Sequence, residues 1–234
     1  MKLNTGDGVN TLKQIVKRLL CIGLPVPVFL KPVIRMIYYA GVFLVESCTF
    51  LRKFFWVEPI VRSLCTSVGR NLRIESLPFI RGRGKIVIGD NVHLSGTIIF
   101  HFSASLPEKP EIIIGNNVFI GNRCSFSCAR RISIDENALI SAGVRIRDND
   151  DHPLDPSRRK ERAPVMAGEV ADVKIGRNAW IGAGATILKG VSVGENSVVG
   201  TSAVVTSDVS ANTVVAGNPA KTVRIIGTET ELSR

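Results

Sequence analysis

The groups best able to move a proton in this chain stand at Asp148-Asn149-Asp150-Asp151-His152-Pro153, where a regular pattern breaks off. An imidazole titrates near neutrality. Acidic neighbours could hold one ring tautomer and raise its basicity, so His152 is the candidate general base. The chain has 3 histidines. His93 falls between Val92 and Leu94 inside the regular pattern, and His101 stands beside a proline-bearing stretch at 103–110. Zinc chemistry needs three converging ligand histidines, and this distribution argues against a metal site. Arg158, Arg159, Lys160 and Arg162 follow within the same break. They could meet an anionic sugar or diphosphate carrier, or be solvated loop charges.

A hexad repeat must position these groups. An aliphatic residue returns every six positions at Ile175, Ile181, Ile187, Val193, Val199 and Val205, and four positions after the first five stand Ala179, Ala185, Val191, Ser197 and Ala203. Helical burial recurs at three, four and seven, and strand burial at two, so a period of six fits neither. Six residues at roughly 3.3 Å each give about 20 Å of strand plus turn, one flat face of a solenoid coil. Three faces close a triangle whose stacked coils bury one another's ladders. A weaker hexad runs through Ile74, Ile80, Ile88, Leu94 and Phe100, then Ile114, Ile120 and Phe126, and after a two-residue slip Ile134, Ile140 and Ile146. Residues 71–226 therefore read as one mainly β solenoid domain. Residues 148–172 form a charged, proline-bearing excursion, long enough to be either functional or disordered. Val209 and Val215 lead into Gly217-Asn218-Pro219-Ala220-Lys221, Val223, Ile225 and Ile226 can close the end, and 227–234 read as a flexible tail.

Composition fits an aliphatic ladder, with 45% hydrophobic but only 6% aromatic residues. The net charge of +10 is uneven, because residues 1–70 carry ten Lys or Arg against Asp7, Glu46 and Glu58. That basic segment is also the most apolar, which points to an anionic membrane surface and away from nucleic acid. Residues 11–30 begin amphipathically and meet Pro25 and Pro27, where a helix should stop or kink. The apolar run Ile34–Phe55 is interrupted by Glu46 and reads as too short to span a bilayer. The expectation is two or three helices lying in one leaflet, with a cap on the solenoid or an oligomer contact as the alternative. The 5 cysteines show no disulfide framework, so reduced thiols in a cytosolic setting are expected, with Cys124 a small buried residue.

The run from Asp148 through His152-Pro153, Arg158-Arg159, Ile175-Gly176 with Ala179-Trp180-Ile181-Gly182, and Gly217-Asn218-Pro219-Ala220-Lys221 resembles the hexapeptide-repeat acyltransferases. Its likeness is to the sugar O-acetyltransferases, including galactoside, maltose, O-antigen and capsule-modifying enzymes. Phe55-Trp56-Val57-Glu58-Pro59 is more loosely similar to the polysaccharide-modifying branch. The resemblance implies a left-handed parallel β-helix with an N-terminal α-helical extension. It also implies a homotrimer with sites between subunits, and acetyl-CoA as acyl donor without metal. His152 would take the proton of a sugar hydroxyl as that oxygen attacks the thioester, with no enzyme nucleophile. Ser125, Asp148, Asn149, Asp150, Arg158 and Trp180 would meet the acceptor. Trp180, Gly182, Ala183, Thr201, Ser202, Lys221 and Arg224 would line the donor. Two departures stand out: Ser207 replaces a family lysine within Thr206-Ser207-Asp208, and Ser125 replaces an acceptor-contacting Asn. The expected function is O-acetylation of a cell-surface polysaccharide or its precursor at the inner face of the cytoplasmic membrane. The alternatives are N-acetylation of an amino-sugar nucleotide and a non-enzymatic scaffold.

Overall fold

The structure, a computed structural model, describes residues 26–103 and 106–227 together with Lys13 and Lys17. The chain divides into two units, Met1–Thr49 and Phe50–Arg234. The amphipathic pattern from residue 11 and the tail beyond Gly227 lie outside the described residues, apart from Lys13 and Lys17, which are helical and exposed.

From Ser67 onward the chain visits three sheets in rotation. Face A holds Ser67–Val68, Lys85–Ile88, Glu111–Ile114, Arg131–Ile134, Val173–Ile175 and Ser192–Val193. Face B holds Arg73–Ile74, His93–Leu94, Phe119–Ile120, Leu139–Ile140, Trp180–Ile181, Val198–Val199 and Thr213–Gly217. Face C holds Phe79–Arg81, Ile99–Phe102, Ser125–Cys128, Arg145–Arg147, Thr186–Ile187 and Val204–Val205. Every pairing among these strands is parallel, and Ala220–Ile225 folds back antiparallel on Thr213–Gly217 to close face B. This is the left-handed parallel β-helix.

The register shows why six is the period. Ile175 pairs with Val193, Ile181 with Val199 and Ile187 with Val205, so each hexad residue sits on its counterpart one coil away. These side chains, with Ala179, Ala185, Val191 and Ala203 at the corners, fill the core. Phe100 and Phe126 stack with ring centroids 5.4 Å apart, and Ile146 follows in the same ladder. Gly182 is buried where two coils approach closely: a Cβ there would stand 2.7 Å from the Thr201 nitrogen. The corner between faces A and B turns on left-handed asparagines at 71, 91, 117, 137, 178, 196 and 212, with φ between 55° and 58°. Asparagine tolerates that conformation better than most residues with a Cβ. Their amides also bond coil to coil at 2.9–3.0 Å, from Asn71 through Asn91 and Asn117 to Asn137, and from Asn178 through Asn196 to Asn212.

The N-terminal region differs from expectation. Helix α1 (Lys31–Arg52) runs through Glu46 without a break, passes a π-helical turn at Lys53–Val57 and continues as α2 (Glu58–Leu64). Pro59 has no N–H to donate, and the wider turn just before it lets the helix pass the proline. The stretch Val28–Leu64 spans 37 residues and is long and apolar enough to cross a membrane, with none of its most apolar window buried. An exposed glutamate adds polarity to a helix without terminating it, so the run is longer than the sequence pattern implies. Val57 and Val61 belong to the solenoid core, so α2 supplies an end cap. Ile37, Phe43, Leu44 and Phe50 are exposed.

Candidate active site

The excursion is anchored where the repeat slipped by two residues one coil earlier. After Phe126 the strand runs on to Cys128, and the chain turns at Ala129-Arg130 before face A resumes at Arg131. That turn points three consecutive backbone N–H groups at one place. The Asp148 carboxylate fills it, accepting from Ala129, Arg130 and Arg131 at 2.7, 2.7 and 2.8 Å, and the Asn149 amide donates to the same carboxylate at 2.8 Å. Asp148 and Asn149 have no exposed surface. In this chain both residues build the turn.

Residues 148–172 fold against the solenoid. Asn149 bridges to Val170 across the base of the excursion, and Asp155 caps a short helix α3 (Pro156–Lys160) by accepting from the Arg158 N–H at 2.8 Å. Val165 and Val170 pack with Ala129, and Leu106 leans on them. Lys189, on the coil above, donates to Asp150 and to the Glu169 carbonyl. Arg158 is likewise consumed within the excursion: it pairs with Glu169 at 3.1 Å and donates to the Pro164 carbonyl at 2.7 Å. Its guanidinium is therefore engaged within the excursion while staying partly exposed. The Met166 N–H, with the nearby Arg158 guanidinium, holds the Glu169 carboxyl below its ordinary range.

His152 is exposed at the start of this excursion. Its acidic neighbours do not orient it as the sequence suggests, because each has another partner. Asp148 serves backbone N–H groups and Asp150 serves Lys189. Asp151 accepts from Ser127 Oγ and pairs with Arg147 at 3.1 Å. Ser125 is half-buried on face C, and the residue that reaches the excursion is Ser127, two positions on. Ser127, Arg147 and Lys189 are the site's additions to the sequence reading. The two-residue slip beside Ser127 was the one signal that could have found it.

The other predicted residues gather elsewhere on the triangle. Trp180 is 51% exposed on face B, and its indole N–H donates to Ser141 Oγ at 3.1 Å. The strand leaves face B at Gly182-Ala183, and Thr201-Ser202 stand one coil above, with the Ser202 N–H donating to the Ala183 carbonyl at 2.8 Å. Ala183, Thr201 and Ser202 are exposed, whereas Gly182 is buried, where its lack of a side chain serves the coil stack. Lys221 and Arg224 are exposed on the closing strand of face B, after a cis Asn218–Pro219 bond. The structure thus collects Trp180, Ala183, Thr201, Ser202 and Lys221 along face B and the corner after it. His152 leaves from the corner between faces C and A, which lies across the triangle from face B.

The two thiols beside the excursion's base, Cys124 and Cys128, are buried. Burial, reinforced by the Asp148 carboxylate, pushes the Cys128 thiol far up, and burial raises Cys124 to about 11. Neither suits a nucleophile at neutral pH.

Residues 172–207 match the bacterial transferase hexapeptide family (six repeats), and residues 111–147 match the hexapeptide repeat of succinyl-transferase. A candidate lipopolysaccharide biosynthesis O-acetyl transferase of Escherichia coli K12 is 31% identical over 169 residues, 70% of this chain and 84% of that protein. The galactoside O-acetyltransferase of Lactococcus lactis is 29% identical over 71% of this chain and 66% of its own length. Among solved structures, a galactoside acetyltransferase in complex with coenzyme A superposes with a TM-score of 0.51 at 25% identity, covering 72% of this chain and 69% of that one. With the six-residue ladder, the three-sided parallel coil and this likeness across the solenoid, the chain belongs to the hexapeptide-repeat sugar acetyltransferases.

Proposed function

We propose that the protein transfers an acetyl group from acetyl-CoA to a hydroxyl of a cell-surface polysaccharide or its precursor, with His152 as general base. The observation that carries this reading is the placement of His152. The excursion presents it to solvent, and the surrounding carboxylates are committed to other partners, which leaves the imidazole for substrate. Acetyl-CoA would supply the activated acetyl thioester. His152 would accept the proton of the sugar hydroxyl as the new ester bond forms, and return it to the departing thiolate. Proton transfer of this kind is worth about 10²–10⁴-fold, the remainder coming from holding both substrates in line.

The donor fits the corner of Ala183, Thr201 and Ser202. Small exposed residues on adjacent coils leave room for an extended arm, and Lys221 stands on the same face for phosphate. Trp180 would wall the cleft. Because His152 and this corner belong to different edges of one triangle, a site using both draws on two copies. That separation supports a homotrimer with active sites between subunits. The acceptor class is supported by the name of the Escherichia coli relative and by the exposed apolar stretch between Lys31 and Lys53. We place the enzyme at the inner face of the cytoplasmic membrane, held there by α1.

The test is acetyl-CoA consumption with a panel of neutral and anionic glycans, followed by mild alkali treatment of the product. Alkali-labile acetate is expected. An alkali-stable acetyl group on an amino sugar would replace this reading with N-acetylation.

A further inference from the structure

Asp151, immediately before His152, holds φ at +61°. That region is uncommon for any residue with a Cβ, and such a backbone persists only where its surroundings over-determine it. Here they do. The Asp151 N–H donates to Asn149 Oδ1 at 2.8 Å, one carboxylate oxygen accepts from Ser127 Oγ, and the other pairs with Arg147 Nη1 at 3.1 Å. Ser127 and Arg147 are direct cross-strand partners on face C, so both grips rise side by side from the rigid wall of the solenoid. Arg147 makes this contact at a cost, because its Nε is buried without a hydrogen-bond partner. An unsatisfied buried donor is disfavoured, and a shorter or apolar side chain would avoid it. Local rules broken without a stabilising return are typical of sites kept for function.

We propose that Arg147, Asp151 and Ser127 form a clamp that fixes the direction of His152, with Arg147 a positioning residue that acts through Asp151. The inference rests on the reading of His152 as the general base. The clamp sets the left-handed turn at Asp151, and that turn sets where the next side chain leaves the backbone. Without it His152 samples several directions, and the hydroxyl proton is met less often in line.

The experiment measures kcat and KM separately, by acetyl-CoA thiol release with a glycan acceptor, in the full chain. Arg147→Met is expected to lower kcat about 10–100-fold, the scale of a misplaced catalytic group, with KM for acetyl-CoA within about twofold of the parent. Arg147→Lys restores part of that loss. Asp151→Gly is the second variant: glycine accepts φ +61° without strain but offers no carboxylate, so kcat falls similarly while the thermal midpoint holds. In a His152→Ala background, assayed at raised enzyme concentration, Arg147→Met should cause no further fall. Parental kcat in Arg147→Met and Asp151→Gly, with His152→Ala inactive, overturns the clamp alone. The same fold loss with and without His152 also overturns it, since a structural lesion acts in both. Parental turnover in His152→Ala overturns the base assignment and the clamp with it.

Discussion

Replacing Asp148 with alanine should cost more stability than almost any other single change outside the ladder. The carboxylate is fully enclosed and accepts from Ala129, Arg130 and Arg131, and Asn149 also donates to it. Truncation strands those donors unequally. Ala129 is buried, so its N–H carries the full penalty of an unmade bond, about 1.5–3 kcal/mol. Arg130 and Arg131 are partly or largely exposed, where water can compensate, and each loses about 0.5–1.5 kcal/mol. The total is about 2.5–6 kcal/mol, or a fall of about 5–24 °C in thermal midpoint for a domain of this size. Circular dichroism melts of parent and Asp148→Ala measure it, and hydrogen exchange should show fast exchange at the Ala129 amide in the variant. A change below about 1 kcal/mol, with the Ala129 amide still protected, would refute the assignment of Asp148 as the anchor of the excursion.

Gly182→Ala should destabilise by about 1–3 kcal/mol, because its Cβ would meet backbone at 2.7 Å from two directions; equal melting temperatures would show that the coils can part there. Thiol titration at pH 8 should find Cys48 reactive, while Cys124 and Cys128 react only after denaturation, since both are buried and held protonated. Rapid labelling of either in the native protein would contradict the burial that supports the face C ladder. Flotation with anionic liposomes should be lost when Ile37, Phe43 and Leu44 are all changed to aspartate in the full chain, with turnover on a soluble acceptor kept. Unchanged flotation would remove α1 as the membrane element.

The solenoid was legible because its aliphatic residues recur at a spacing that neither a helix nor an ordinary strand uses, and Ile175, Ile181 and Ile187 fall on the three faces in turn. The asparagine corner was written there too, as an Asn three residues after most face A aliphatics, but a reading for apolar period passes over it. Inside the excursion the partners of each side chain were not legible. Asp148 and Arg158 read as site residues in one dimension, and only the folded chain shows their structural partners, the turn at Ala129 and Glu169. The clamp was hidden for the same reason. Ser127 and Asp151 are 24 residues apart, and their meeting depends on the coil bringing strand Arg145–Arg147 beside Ser125–Cys128. At the N-terminus, a count of apolar residues between charges undervalued a helix that continues through its glutamate.

The central claim is that a hydroxyl loses its proton to His152 during transfer from acetyl-CoA. The direct measurement is acceptor-dependent release of CoA thiol by the parent chain and by His152→Ala under the same conditions. The account predicts turnover in the parent and a fall of about 10²–10⁴-fold in kcat for the variant, with acetyl-CoA still bound. Parental turnover in His152→Ala, or no acetyl-CoA binding by the parent, would contradict it.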